Sequence, residues 1–599
     1  MACQQAAIDG GEQPLFGGVW AIFGHGNVAG LGEALSVERE RLATFRGHNE
    51  QSMAHAAIGF AKATHRRRMM AVTTSIGPGA TNLVTAAAAA HVNRLPVLLL
   101  PADGFASREP DPVLQQLETA PGAAISVNDA LKPVSRYWDR ITRPQQLITA
   151  LPEAMRVLTD PAECGPVTLA LPQDVQVEAY DFPAALFETR VHTVRRPQPD
   201  PEELKIVAAS IAAASRPLLV AGGGVHYSGA WEQLERFAST HGVPVAETQA
   251  GKGSLPWNHP LQAGSIGVTG SEAANELARE ADLIIAAGTR LSDFTTASRT
   301  LFESGPKLLV SINVASFDAG KHGFQPLVAD ARDALEALSA SLAGWRAAEE
   351  WTARARDRAQ RWRETVDAVT RQPDASRLPS DAQVIGAVQR SSTPDDAVVC
   401  AAGGMPGELH KLWRTERPGG YHAEYGYSTM GYEIAGGVGV RMARTGGEVY
   451  VVLGDGSYLM ANSEIATAVA MRHKLIIVLA DNHGFGSINR LQQTTTHARF
   501  NNLLEDVYDD APSVDFVAHA AALGARSERA ADVVELEAAL QRARAATETS
   551  VIVIETDPHA STEAGGAFWD VPVAESSPLA STRAARTAYE SSRREARGR

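Results

Sequence analysis

Cysteine is scarce: Cys3, Cys164 and Cys400 are the only thiols in 599 residues, and their spacing suggests neither a pair nor a metal site. That excludes a disulfide framework and fits a reducing compartment, so a cytoplasmic location is expected. Positive charge is also in deficit. A formal charge of -14 suggests no basic surface for a phosphate backbone, so no nucleic-acid partner is expected and the acidity serves solubility. Long apolar runs are missing too. None reaches the roughly 18 residues that span a bilayer, and no basic segment followed by an apolar one opens the chain, so no membrane association is expected. The run TAAAAAHV near residue 85 is too short and reads as a packed helix.

What remains is an ordinary globular composition, 44% hydrophobic and 21% charged. At about 150 residues per domain the length predicts roughly three to five cores. Apolar runs such as GVWAIFG, MMAVTTS and PVLLLPA alternate with helical segments such as Glu50 to Ala63, the pattern of a doubly wound parallel sheet. The stretch VRRPQPDPEE, Val194 to Glu203, breaks the pattern as a linker. A second alternating region carries RPLLVAGGG, DLIIAAGTR and KLLVSINV and closes with the charged helical segment Trp345 to Gln372. A third carries DAVVCAAGG, EVYVVLGDGS, LIIVLADN and SVIVIETD. The expected fold class is α/β, with three doubly wound parallel-sheet domains at 1–190, 200–345 and 375–575. The Ser-, Ala-, Arg- and Glu-rich tail, 576–599, is expected to be disordered.

Two strands of the third region end in polar clusters, Gly454-Asp455-Gly456-Ser457 and Asp481-Asn482-His483-Gly484, separated by enough chain for one helix and one strand. In an open α/β sheet, ligands sit beyond the carboxyl ends of the strands. Asp455 and Asn482 offer the hard oxygen ligands that Mg2+ or Ca2+ prefers, and the glycines let backbone approach, so a divalent ion bridging a diphosphate fits here. Either cluster alone is as well explained by a tight turn.

Together they resemble the signature of the thiamine diphosphate (ThDP) enzymes, a GDG followed by an Asn. The resemblance implies ThDP and Mg2+ as cofactors, with Asp455, Asn482 and the Gly484 carbonyl as metal ligands; Asp481 stands where the family usually has a first Asn. FRGHNEQSMAHAAIGFA resembles the family's glutamate segment, which implies that Glu50 exchanges a proton with the aminopyrimidine ring. EYGYSTMGYEIAGG implies Met430 as the support for the bent cofactor and the Ser428 carbonyl as acceptor of its amino group. AAGGMPGELHKLW implies Gly403, Gly404 and Met405 beside the diphosphate, with Gly454, Gly456 and Ser457 on its other side, and SIGPGATN completes the set. The family builds its sites across a subunit interface, so a homodimer or tetramer is expected. It often keeps its central domain without a nucleotide, and AGGG at Ala221 to Gly224 does not predict a flavin. Ahead of the first strand, where the family normally has an amphipathic helix, this sequence shows only MACQQAAID.

Within the family, IFGHGNVAGLGEAL, GHNEQSMAHAAIGFAK, AHVNRLPVLLLPADGFASREPDPVLQQLE, LHKLWR and FWDVPVAE resemble the hydrolases of myo-inositol degradation that open a polyhydroxylated cyclic 1,2-diketone. That implies a decyclizing hydrolase of carbon-carbon bonds, adding water without releasing carbon dioxide, with 5-deoxy-glucuronate as product. His25 and Asn27 are candidates for water activation, His48 and Gln51 for substrate hydroxyls, and His483 for a place beside the metal. For each histidine a structural hydrogen bond is the competing reading. The alternatives are a 2-oxo acid carboligase or decarboxylase resembling acetolactate synthase, and a non-catalytic ThDP-fold subunit.

Overall fold

The computed structural model of the chain describes residues 1–8, 10–120, 122, 124–303, 307–371, 377–510 and 513–597. Three six-stranded sheets, each all-parallel, are laid along the sequence. In the first, the strands lie in the order Thr44–Phe45, Phe16–Ala21, Met69–Thr74, Val97–Asp103, Pro166–Pro172 and Tyr137–Arg140. The third repeats that winding with Tyr421–Ala423, Ala397–Cys400, Val449–Gly454, Ile476–Asp481, Ser550–Glu555 and Arg526–Ala530. The central sheet differs: Gln262–Ser265, Val245–Glu247, Pro217–Ala221, Leu283–Ala287, Leu308–Asn313 and Gln325–Val328, the dinucleotide-fold order. Strands such as Met69–Thr74 and Ile476–Asp481 are buried at every position, as strands with helices on both faces must be.

The first and third regions share one core, in which Trp20, Met53 and Ile58 pack with Val438, Val451 and Ile465. Its centre is a pair of helices, Glu50–Ala63 and Glu433–Ala443. The first is capped by the Asn49 side chain, which accepts from the Ser52 N–H. A Cβ on Gly59 would stand 2.3 Å from the Gly436 carbonyl oxygen, and one on Gly439 1.9 Å from that of Ala56. These contacts pair 59 with 436 and 56 with 439, so the helices run antiparallel. At 1.5 Å rise per residue, Glu50 and Glu433 lie at opposite ends of the pair, roughly 20 Å apart.

Two expectations need revision. The tail is not disordered: helix Ala580–Ala596 forms, with Thr582 and Ala585 buried, and Tyr589 and Arg597 both bonded to Asp570. Its inward face is built of small residues and its hold is polar, so no apolar periodicity betrays it. The charged segment expected over 345–372 is helical over Glu349–Val369; residues 372–376, where the third region was expected to begin, lie outside the described residues. At the other end, Gln4–Ile8 is a strand, pairing antiparallel with Gly11–Pro14 and parallel with Arg190–His192. Among the described residues no helix is long and apolar enough to cross a membrane.

The close helix contact generates a prediction. Gly439→Ala forces the backbones apart and is expected to lower stability by about 3 kcal/mol or more, whereas Gly446→Ala, with nothing within 4 Å of its added carbon, should change it by less than about 0.5 kcal/mol. Urea unfolding of the two variants checks this.

Candidate active site

Strands Val449–Gly454 and Ile476–Asp481 pair in parallel with Gly454 opposite Ala480, so both polar clusters emerge at one sheet edge. Asp455 opens the helix that follows and is 3% exposed. The side-chain carbonyl oxygen of Asn482 stands 2.8 Å from the Gly484 carbonyl oxygen and 3.3 Å from a carboxylate oxygen of Asp455. The Asn482 amide, the Asp455 carboxylate and the Gly484 carbonyl therefore converge on one point. With its NH2 turned toward them, the amide donates to both neighbours; with its oxygen there, the same three groups offer oxygen ligands to a divalent ion. The backbone is shaped for this, with φ of +59° at His483 and +147° at Gly484. Burial and the nearby Asp481 push the Asp455 carboxyl up to about 6, a strain that a divalent ion would relieve. The residues fit a metal ion of the hard-oxygen class.

Beside this cluster, Met430 and Phe485 bracket Gly456: a Cβ there would stand 3.5 Å from the Met430 methyl and 2.6 Å from the Phe485 ring. Ser428 holds φ of +56°, a costly conformation for a residue with a side chain. Gly403, at φ +90°, faces open space. Gly404 begins helix Gly404–Leu412 and is crowded by Arg490 and Asp381. Met405 is buried in the core of the third region rather than on the cradle's open face.

The first region contributes a separate group. One Glu50 oxygen accepts from the Asn82 amide at 2.9 Å, and the other lies 3.2 Å from where a Cβ on Gly79 would stand. The SIGPGATN loop thus cradles the carboxylate. His25 is exposed, with Nδ1 3.3 Å from the Gln173 side-chain oxygen. Asn27 is 2% exposed and fully employed: it accepts from the Gly24 N–H and donates to the Thr73 hydroxyl and the Ile22 carbonyl. It shapes the loop that presents His25. His48 is tied to the third region, its N–H donating to Glu464 and its ring 2.8 Å from the Thr467 hydroxyl. His483 sits between Asp481 and Glu555 at 3.3 and 3.0 Å; burial opposes its protonation, but these carboxylates outweigh it and raise its pKa. The Glu50 group and the Asp455 group lie on different regions of the chain.

Family models of the thiamine pyrophosphate enzymes match all three regions: the N-terminal TPP binding domain over 18–121, the central domain over 204–338 and the C-terminal TPP binding domain over 401–554. Over 98% of its length the chain is 42% identical to 3D-(3,5/4)-trihydroxycyclohexane-1,2-dione hydrolase 1 of Bacillus cereus (strain ZK / E33L), covering 96% of that protein. It is 43% identical to the hydrolase of the same name from Bacillus velezensis and 42% to that of Bacillus licheniformis, each over 98% of this chain and 96% of the relative. The chain belongs to the thiamine pyrophosphate enzyme family.

For a thiamine pyrophosphate enzyme the loops around the cofactor cradle must hold one geometry, and the residue that joins them here escapes a motif search. Glu433 accepts from the Ser457 hydroxyl at 2.8 Å and from the Ala402 N–H at 3.3 Å, while Ser457 accepts from the Gly431 N–H at 2.9 Å. Three cradle loops, at 402, 431 and 457, thus meet on one buried carboxyl, and the Ser457 hydroxyl is spent on this junction. The available signal was an acid opening the otherwise apolar, glycine-rich helix Glu433–Ala443.

Burial pushes Glu433 up to about 7. A carboxyl whose folded pKa is raised stabilises the fold while protonated, and that contribution drains away as pH rises from about 4.5 to about 7. Glu433→Gln mimics the protonated form. Its stability relative to the parent is predicted to improve by on the order of 2–3 kcal/mol between pH 5 and pH 8, read from urea midpoints at both pH values.

Proposed function

We propose that this chain is a ThDP- and Mg2+-dependent hydrolase that opens 3D-(3,5/4)-trihydroxycyclohexane-1,2-dione to 5-deoxy-glucuronate in the cytoplasm. The observation that supports the cofactor assignment is the convergence of the Asp455 carboxylate, the Asn482 amide and the Gly484 carbonyl at the sheet edge. The reaction rests on the chain-long similarity to relatives named for that hydrolysis. They favour neither the carboligase nor the non-catalytic reading.

When bound, ThDP supplies the carbanion that attacks a carbonyl and the electron sink that lets the adjoining carbon-carbon bond break. The protein's part is positioning and proton transfer. Asp455, Asn482 and the Gly484 carbonyl would hold the metal, and the Gly403–Gly404 turn would leave room for the diphosphate. The Ser428 carbonyl would accept from the cofactor's amino group, and Met430 would pack against its rings. Glu50, held by Asn82, exchanges a proton with the aminopyrimidine ring. His25, solvent-facing and oriented by Gln173, deprotonates the water that ends up in the carboxylate product, while Asn27 fixes the loop that carries it. Net addition of one water balances the reaction, with no carbon dioxide.

Each site takes Glu50 from one copy of the chain and the metal cluster from another, in a homodimer or tetramer. The antiparallel helix pair supports this, because it keeps a chain's own Glu50 roughly 20 Å from the Glu433 end where the GDGS loop is tied.

Incubation with Mg2+, ThDP and the dione, followed by mass, tests the assignment. Glu50→Gln is expected to lower kcat by about 10²–10⁴-fold while keeping Mg2+-dependent ThDP binding, and Asp455→Ala to lose that binding. Mixing the two inactive variants under subunit exchange should restore up to about a quarter of the activity, the share of sites with both intact halves; no recovery would contradict shared sites. Turnover and pH dependence unchanged in His25→Ala would remove His25 from the chemistry.

A further inference from the structure

Four neighbouring strands of the first sheet, Phe16–Ala21, Met69–Thr74, Val97–Asp103 and Pro166–Pro172, end side by side: Ala21 pairs with Thr73, Thr74 with Pro101 and Asp103 with Pro172. The loop that carries His25 leaves the first of them and is fastened to the other three. A Cβ on Gly24 would stand 2.6 Å from the Ser75 Cβ, and one on Gly26 2.8 Å from the Ala102 Cβ. Gln176 reaches back from beyond the fourth strand: its NH2 donates to the Gly26 carbonyl at 2.8 Å, and its oxygen accepts from the Leu31 N–H at 3.2 Å. Contacts this close on both sides of residue 25 fix its backbone. The imidazole, which is exposed, keeps the freedom to turn.

The ring meets Gln173 at Nδ1, 3.3 Å from the side-chain oxygen, and Gln173 is itself held where its N–H donates to the Asp103 carbonyl at 3.2 Å. An amide oxygen only accepts, so this contact needs a proton on Nδ1 and leaves the lone pair on Nε2. The same hydrogen bond serves the imidazolium, so nothing has to turn when Nε2 takes a proton. The charged groups on the strand ends and loops around the ring are engaged elsewhere or exposed. Asp103 accepts from Arg140 at 2.8 Å, Asp174 from the Ala106 and Ser107 N–H groups, and Glu50 from Asn82; Glu33, Arg108, Glu109, Asp111 and Glu178 are exposed. The partner at Nδ1 is therefore a neutral one.

We propose that Gln173 is a positioning residue for the hydrolysis: its side-chain oxygen holds His25 in the Nδ1–H tautomer and makes Nε2 the atom that accepts the proton of the attacking water. The inference rests on the reading of His25 as the group that activates water. Nε2 takes one proton of the water as the water oxygen bonds to the carbonyl carbon that ends as carboxylate. That proton returns, directly or through solvent, to the carbon released as the aldehyde, so one whole water is added. A neutral acceptor holds the tautomer without the pull that a carboxylate would exert toward the imidazolium, which cannot act as a base.

The test is the pH profile of dione turnover by the holoenzyme, with Gln173→Glu, Gln173→Met and His25→Ala beside the parent. Gln173→Glu keeps an acceptor on Nδ1 but charges it, and the acid limb of kcat/KM is expected to move up by about one pH unit. Gln173→Met keeps the volume and removes the acceptor. Its kcat is expected to fall about tenfold as the ring divides between tautomers, with the dione KM changed by less than about twofold and Mg2+-dependent ThDP binding unchanged. An acid limb that stays in place in Gln173→Glu overturns the proposal, as does parental kcat in Gln173→Met. If His25→Ala loses the limb while Gln173→Glu leaves it unmoved, the role of Gln173 falls and that of His25 stands; parental turnover and limb in His25→Ala remove both.

Discussion

The contact on which the rest of the structure depends is the backbone-to-backbone packing of helices Glu50–Ala63 and Glu433–Ala443. Glycine at 59, 436 and 439 removes the side chains that would hold the helices at ordinary separation, and the first and third regions become one core. Each helix opens with a carboxylate that matters. Glu50 stands at the start of one, cradled by Gly79 and Asn82; Glu433 stands at the start of the other, holding three cofactor loops together. Because the helices are antiparallel, these carboxylates face opposite ends of the pair.

Polarity follows the same economy of placement. Parallel strands deliver Asp455 and Asn482 to one sheet edge, where carboxylate, amide and the Gly484 carbonyl converge and burial raises the Asp455 carboxyl to about 6.

Much of this was legible in the sequence. The apolar runs became strands, Glu50 to Ala63 became a helix, and the three-sheet α/β reading, with its family, stands on local pattern because parallel sheets concentrate apolar residues in short runs. What was not legible depends on partners far away in the chain. Asn27 looks like a candidate catalyst until Thr73 and the Gly24 N–H claim its amide, and His48 looks like a substrate ligand until Glu464 and Thr467 claim it. Glu433 looks like a helix-start charge until Ala402 and Ser457 arrive on it. The helix Ala580–Ala596 is missed for a related reason, since it is held by Asp570 rather than by an apolar stripe.

The central claim is hydrolytic cleavage of a carbon-carbon bond, and the most direct measurement is the fate of water. The holoenzyme would be given the trihydroxy dione in water enriched in oxygen-18, with the product analysed by mass and carbon-13 NMR and the headspace for carbon dioxide. The account predicts an open-chain product heavier than the substrate by one labelled water, with the label in the new carboxylate and no carbon dioxide. An intact dione, or carbon dioxide released from pyruvate in its place, would contradict it.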